Sequence, residues 1–311
     1  MNHKILIVGT GALATLFAAR LAQTGRSVVM LGTWRAALDS LCEHGVRLVD
    51  EYGGEHRFPV RVTHDPRECS GIRYALVLVK AWQTERAANQ LKECLADNGL
   101  AVTLQNGLGN REMLARSLGV ERVALGVTTT GATLLSPGLV RAGGEGAISL
   151  ERNPVLDPIE TALKSANFHV HVVENAQSLV WGKLVINAAI NPLTALLQVP
   201  NGKLLELTSA RKLMGALAGE TARVAAAEEV ELPFPDPISA AEDVARRTSA
   251  NHSSMLQDVQ RGAPTEIDAI CGAVVKYGRH HHIDTPANWA CWKLVKSVAG
   301  RSQRLRTGST G

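Results

Sequence analysis

The 311-residue chain is longer than one typical hydrophobic core and suits two domains. Its 45% hydrophobic and 4% aromatic content describes a globular protein with an aliphatic, Ala-rich core. A net charge of +4 without any basic run argues against a nucleic-acid partner, although a few local cations would serve a small anionic ligand. The five cysteines, Cys42, Cys69, Cys94, Cys271 and Cys291, are odd in number, widely spaced and free of any CxxC. That pattern argues against a disulfide framework or a zinc site and fits a reducing cytoplasm.

Lys4 followed by an apolar run from Ile5 to Ala22 mimics a secretory signal, but Gly9, Thr10 and Gly11 interrupt it. A strand, a turn and a helix account for it better: a buried strand at Lys4–Val8, then a helix over Ala12–Gln23 stopped by Gly25. Ser27–Leu31 reads as a second buried strand and Arg35–His44 as a helix ended by Gly45. Val46–Val62 is expected to hold two short strands around Tyr52-Gly53-Gly54. Tyr74–Val79 is a strongly apolar strand, and Ala81–Leu95 a helix with Glu85 and Lys92 on its wet side. Leu100–Leu104 and Val123–Val127 are further strands. The Gly-rich, β-forming stretch Thr128–Leu150 adds antiparallel strands, followed by a helix at Pro158–Ala166 and a last strand at His169–Val173.

After Glu174 no convincing strand is seen. Gln177–Leu197, Ala210–Glu229, Ile238–Asn251, Glu266–His280 and Pro286–Val298 carry helical periodicity. Leu232–Pro237, with three prolines, is a loop. The polar tail from Gly300 to Gly311 is expected to fray. The chain thus divides near residue 174 into an α/β domain and an all-helical one, and ligands of such a pair are expected in the cleft between domains. No stretch of 18 uninterrupted apolar residues argues for a membrane span.

Gly9-Thr10-Gly11-Ala12-Leu13-Ala14 follows a strand and opens a helix. It is a GxGxxA version of the dinucleotide fingerprint. Gly9 makes the tight turn, Gly11 lets the backbone approach a pyrophosphate, and Ala12 and Leu13 begin the helix whose N-terminus faces that charge. A site for NAD wants a carboxylate at the end of the second strand. Here Val29-Met30-Leu31-Gly32-Thr33-Trp34-Arg35 has none before Asp39. Thr33 and Arg35 therefore favour a 2′-phosphate and NADPH. The alternative for Arg35 is a solvated first-turn arginine.

Lys183, Asn187 and Asn191 are spaced i, i+4, i+8 on an otherwise apolar helix. A polar stripe of this kind is costly unless it meets partners or a wet cleft; an exposed amphipathic face is the other reading. A lysine there can protonate the alkoxide left when hydride reaches a ketone. Glu266 is a candidate orienting carboxylate, on a helix that Thr265 would cap. Simple complementation of the helix dipole is its alternative. Lys80 and Asn106 follow strands at the carboxyl end of the sheet, where ligand groups gather, although Asn106-Gly107 also reads as a plain turn. Consecutive histidines, His280-His281-His282, point in three directions and have no acidic or Cys partner at ligand spacing. No metal is expected.

These pieces and several others, in order, resemble the ketopantoate reductase (2-dehydropantoate 2-reductase) family from the N-terminus to about Val298. They are GxGA at Gly9–Ala12, Val79-Lys80-Ala81-Trp82-Gln83, Gln105-Asn106-Gly107 and Gly126-Val127-Thr128-Thr129. Trp181-Gly182-Lys183-Leu184 with Asn187, Asn191-Pro192-Leu193-Thr194-Ala195 and Pro200-Asn201-Gly202 follow. Last come Asn251-His252-Ser253-Ser254-Met255-Leu256-Gln257-Asp258 and Thr265-Glu266-Ile267-Asp268. The resemblance implies an α/β Rossmann-type N-terminal domain, residues 1–174, binding NADPH. It implies an all-α substrate domain, 175–311, like the C-terminal domain of 6-phosphogluconate dehydrogenase relatives. By position, Lys183 is the general acid and Glu266 orients it and the substrate. Asn187, Asn191, Asn251 and Ser254 bind the substrate's carboxylate and hydroxyl groups, and Lys80 and Asn106 line the cofactor side. The family often carries its phosphate-binding arginine directly after the second strand; here Thr33-Trp34 stand near that place and Arg35 a residue or so later.

The implied reaction is NADPH-dependent reduction of 2-dehydropantoate to (R)-pantoate, a cytoplasmic step toward pantothenate and coenzyme A. Two alternatives stay open: a reductase of another 2-oxo acid, and a non-catalytic NADP-binding sensor. The expected partner is a small 2-oxo acid, with no nucleic acid or membrane, in a monomer or a homodimer.

Overall fold

The structure is a computed structural model and describes residues 4–144 and 146–307. It divides into two compact units, one built of the chain up to Gln105 with Asn110–Ala176, the other of Asn106–Gly109 with the chain from Gln177 onward.

In the first unit the order is β1 (Ile5–Val8), α1 (Ala12–Gln23), β2 (Val28–Leu31), α2 (Arg35–His44), β3 (Val46–Val49), β4 (Glu55–Phe58), β5 (Arg61–Thr63), β6 (Ile72–Val77), α3 (Thr84–Cys94) and β7 (Leu95–Thr103). There follow α4 (Asn110–Leu118), β8 (Val123–Thr128), β9 (Ala132–Ser136), β10 (Leu139–Ala142), β11 (Ala147–Glu151), α5 (Asp157–Ser165) and β12 (His169–Val173). Eight strands form one sheet in the order β12-β11-β8-β7-β6-β1-β2-β5. From β5 to β8 all neighbours are parallel; β11 pairs antiparallel with β8 and parallel with β12, so these last two strands run opposite to the rest. The run β5-β2-β1-β6-β7-β8 is the doubly wound order, which reverses direction between β1 and β6.

Strand β1 sits at that reversal, with Ile5 opposite Val28 on one side and Tyr74 on the other. All four of its residues are buried, because parallel strands are covered on both faces. The period of two then divides them. Ile5 and Ile7 join Met30, Leu76 and the α1 residues Phe17 and Leu21 in one core layer. Leu6 and Val8 join Leu31, Val77 and the α3 and α4 residues Leu91 and Leu114 in the other.

Three details differ from the sequence reading. Residues 46–62 begin three strands: β3 and β4 pair as a hairpin, and β5 leaves them to join the main sheet beside β2. The hairpin instead extends into a second sheet, β4-β3-β10-β9. Helix α4 was not expected, because only Leu114 and Leu118 among its apolar positions are deeply buried and its pattern is weak.

The second unit holds α6 (Ala176–Leu197), α7 (Lys203–Glu206), α8 (Thr208–Ala227), α9 (Pro237–Arg247), α10 (Ser254–Gln260), α11 (Cys271–His280) and α12 (Pro286–Thr307). Helix α6 is the one described helix long and apolar enough, by composition, to cross a membrane. Two-thirds of its apolar window is instead buried in this unit, where Trp181, Leu184, Val185, Ala188, Ala189 and Leu193 are core residues. The short helices α7 and α10 were not foreseen, since neither offers two full turns of periodicity. Helix α12 continues to Thr307, so the tail expected from residue 300 is helical through 307, and 308–311 lie outside the described residues.

A larger correction concerns Glu266. The expected helix Glu266–His280 begins only at Cys271, because Ile270 (φ −100°, ψ −95°) leaves the helical region. The Ala269 carbonyl, which would bond forward in a helix, accepts instead from the Leu108 N–H at 3.0 Å. Gly107 makes this docking feasible: its φ is +81°, and a Cβ there would lie 2.4 Å from the Ala269 oxygen. Thr265 therefore caps no helix at Glu266, and first-turn dipole complementation does not describe that carboxylate.

Candidate active site

The first unit supplies a phosphate-type loop. The Gly9 N–H bonds to the Leu31 carbonyl at 2.8 Å, and its φ of +129° lets the chain turn from β1 toward α1. A Cβ at Gly9 would press on the Leu78 carbonyl at 3.1 Å, so the loop lies tight against the chain leaving β6. Gly11 is the N-cap of α1, and no side chain caps the first-turn N–H groups. A Cβ at Gly11 would meet nothing within 4 Å, so open space lies before this helix end. That combination fits a pyrophosphate: donors without a side-chain acceptor, a helix N-terminus, and room for close approach. Ala12 and Leu13 are half-buried beside it.

After β2, Thr33, Trp34 and Arg35 are all exposed. Arg35 is not a lone cation, since its Nε lies 2.9 and 3.1 Å from the two carboxylate oxygens of Asp39, one helical turn on. Lys80 follows β6, half-buried, and its N–H donates to Gln83 Oε1 at 3.3 Å. Behind these loops lies a polar set that sequence reasoning passed over. Gln105 Nε2 donates to the Val79 carbonyl at 3.0 Å and to Thr84 Oγ1 at 2.8 Å, and Thr84 Oγ1 donates to Asn110 Oδ1 at 2.8 Å. It ties the ends of β6 and β7 to α3 and α4. Gln105, next to Asn106 after β7, is its signal in the sequence.

The second unit holds Lys183, Asn187, Asn191 and Glu266. Lys183, Asn187 and Asn191 lie on one stripe of α6, as their spacing requires. Trp181, 1% exposed and edge-on to Tyr277 at 5.7 Å, anchors the start of this stripe in the core. Glu266, only 5% exposed, accepts from Asn106 Nδ2 at 3.1 Å. Asn106 thus belongs to the Glu266 cluster of the helical unit, although its strand belongs to the sheet. Burial lowers the Lys183 ammonium to about 8, and the attraction of Glu266 opposes that fall without cancelling it. Asn191 is 7% exposed and Asn187 half-buried, yet among the described residues neither side-chain amide has a hydrogen-bond partner in the protein. Pro192, inside α6, supplies no N–H to the Ala188 carbonyl one turn back.

Asn251 and Ser254 are exposed at the start of α10, which Ser253 caps by accepting from the Leu256 N–H at 3.1 Å. Asn201 holds the preceding loop: its N–H donates to the Asn251 carbonyl at 3.0 Å and its Nδ2 to Thr248 Oγ1 at 2.9 Å. Elsewhere, His281 of the triple histidine pairs with Glu228. All five cysteines are free thiols, four of them buried.

The first unit thus holds a glycine loop that fits a pyrophosphate, and the second unit, described by itself, a desolvated lysine with a buried carboxylate. Residues 5–154 match the family described as ketopantoate reductase PanE/ApbA, and residues 175–299 its C-terminal part. The chain belongs to the ketopantoate reductase family. These are oxidoreductases. The 2-dehydropantoate 2-reductase of Halobacterium salinarum is 34% identical over 94% of this chain and 98% of its own length. That of Archaeoglobus fulgidus is 34% identical over 95% and 98%. Among solved structures, the PanE/ApbA family ketopantoate reductase from Ralstonia eutropha JMP134 has a TM-score of 0.89 at 30% identity, over 96% of this chain and 99% of that one. A D-mandelate dehydrogenase solved with NADH and anilino(oxo)acetate has a TM-score of 0.90 at 24% identity, over 96% and 99%, a likeness of fold.

Proposed function

We propose that the protein reduces 2-dehydropantoate to (R)-pantoate with NADPH, with Lys183 as the general acid. The observation that carries this reading is the Lys183 ammonium, brought by burial to about 8 beside the buried Glu266 carboxylate. An acid with that affinity is protonated at neutral pH and still gives up its proton readily. When bound, the nicotinamide cofactor would supply the hydride that C2 of the 2-oxo acid gains. As the C2 oxygen gains negative charge, Lys183 Nζ stabilises it and delivers a proton. Glu266, held by Asn106, orients that ammonium. Asn187 and Asn191 offer unpaired amides to the substrate's polar groups, with Asn251 and Ser254 beyond them.

Gly9, Gly11, Ala12 and Leu13 would hold the pyrophosphate, and Thr33 and Arg35 would read the 2′-phosphate, with Lys80 on the cofactor side. NADPH is favoured over NADH because no carboxylate stands between Leu31 and Arg35; Asp39, paired to Arg35, works against that preference. The setting proposed is cytoplasmic.

The test is oxidation of NADPH and of NADH by purified protein with 2-dehydropantoate, beside 2-oxoisovalerate and pyruvate. The reading expects kcat/KM to be highest for 2-dehydropantoate with NADPH. Activity confined to another acid would move the substrate, and nucleotide binding without turnover would make the protein a sensor.

A further inference from the structure

From one buried hydroxyl pair we infer that Thr194 is a positioning residue for the 2-oxo acid, setting the Asn251–Ser254 segment against the asparagine stripe of α6. This rests on the proposed reductase reading and deepens it.

Thr194 lies three residues beyond Asn191 on α6 and is fully buried. Its Oγ1 is 2.7 Å from Ser253 Oγ, and Ser253 is 7% exposed. Each hydroxyl has one proton, so the directions can be worked out. Ser253 Oγ already accepts from the Leu256 N–H at 3.1 Å. Thr194 Oγ1 lies 3.1 Å from the Ile190 carbonyl and 3.0 Å from that of Asn191, and only Thr194 can donate in those contacts. The pair is therefore satisfied when Ser253 donates to Thr194. The result is a directed chain: Leu256 N–H to Ser253, Ser253 to Thr194, Thr194 to the carbonyls of the turn that carries Asn191.

This chain joins the two segments bearing the proposed substrate groups. Asn187 and Asn191 are on α6, while Asn251 and Ser254 flank Ser253 itself. The second restraint on the loop comes from Asn201, through the Asn251 carbonyl and the Thr248 hydroxyl. Asn201 ties the loop to the segment that follows α6. Thr194 is the side chain that ties it to α6 at the position of the stripe. Buried hydrogen bonds specify geometry because a half-satisfied arrangement is costly. Removing the Thr194 hydroxyl leaves the Ser253 proton buried without its acceptor, so the loop must move to find water.

The experiment compares wild type, Thr194→Val, Thr194→Ser, Ser253→Ala and the Val/Ala double variant in steady-state kinetics with NADPH and 2-dehydropantoate. NADPH affinity is followed by nucleotide fluorescence. Thr194→Val should raise KM for the oxo acid about tenfold, the order expected from one buried hydrogen bond, and leave NADPH affinity within about twofold. Thr194→Ser, which keeps the hydroxyl, should return KM to near the wild-type value. The double variant should cost no more than the worse single one, because the two hydroxyls act as a unit. An unchanged KM in Thr194→Val, or equal losses of oxo-acid and NADPH affinity that Thr194→Ser does not repair, would overturn the inference. If Thr194→Val does not fold, Ser253→Ala and Thr194→Ser decide: Ser253→Ala must show the same selective rise in KM. Wild type inactive on every 2-oxo acid would instead defeat the reductase reading, a result separable from any variant's behaviour.

Discussion

At the scale of single residues, Lys183 joins structure to chemistry most directly. Its amine is desolvated, and burial outweighs the pull of Glu266, so the ammonium form dominates below about 8 and the neutral amine above it. Reduction consumes the proton. Its kcat should be level below that value and fall as pH rises through it, whereas the reverse oxidation needs the neutral amine and should gain across the same window. A kcat profile with no break near pH 8 would remove Lys183 from the acid role. Lys183→Ala should lower kcat by roughly 10²–10⁴ with NADPH affinity retained. Arg35 tests the cofactor end. Arg35→Ala should raise KM for NADPH well above its effect on NADH, and equal effects would leave Arg35 as the surface partner of Asp39 seen in the structure. The stripe of Lys183, Asn187 and Asn191 was legible because helical spacing is a property of sequence. Thr194 extends the same stripe, and the spacing alone would have pointed to it. The Arg35–Asp39 pair was equally open to an i, i+4 reading.

At the scale of elements, two helices depend on contacts made from distant parts of the chain. Gly182 precedes Lys183, and a Cβ there would lie 2.6 Å from Pro233 Cγ. Gly182→Ala should therefore displace the start of α6 and destabilise the fold by about 1–3 kcal/mol, as overpacking does. Urea unfolding measures it, and an unchanged midpoint would show that the Pro233 loop yields freely. The start of α12 is held by Glu220 of α8. This carboxylate, 5% exposed, accepts from the Ala287 N–H at 2.8 Å and from the Asn288 N–H and Nδ2 at 2.9 Å each. It meets the positive end of a helix where orphan donors need an acceptor. Glu220→Gln turns an amide toward N–H donors and should cost about 1–3 kcal/mol, again read from denaturant unfolding. Neither tie is visible in sequence, since Glu220 and Ala287 are far apart in the chain. The same limit explains the misplaced start of α11. Its periodicity runs back to Glu266, but Leu108 takes the Ala269 carbonyl out of the helical pattern.

At the scale of the molecule, cofactor binding should be felt as stability. A ligand that binds only the folded protein stabilises it by about 2.7 kcal/mol at a hundred times its Kd. NADPH should therefore raise Tm by a few degrees and more than NADH does at equal concentration. No shift with either would refute the reading of the Gly9–Leu13 loop.

Elements whose signal is local are legible along the chain. The buried strand Ile5–Val8, the glycine turn and helix α1 follow from composition and period, and so do the change of class after Glu174 and the face shared by Lys183, Asn187 and Asn191. Features that depend on partners distant in the chain follow from packing instead. β5 left its hairpin neighbours because the edge of β2 offered a parallel ladder. Asn106 follows a sheet strand, yet its amide meets Glu266. The Lys183 ammonium acquired its lowered affinity from burial that no window of sequence contains. Periodicity shows which residues face the same way along one element. What they face, and how dry that place is, depends on packing between elements.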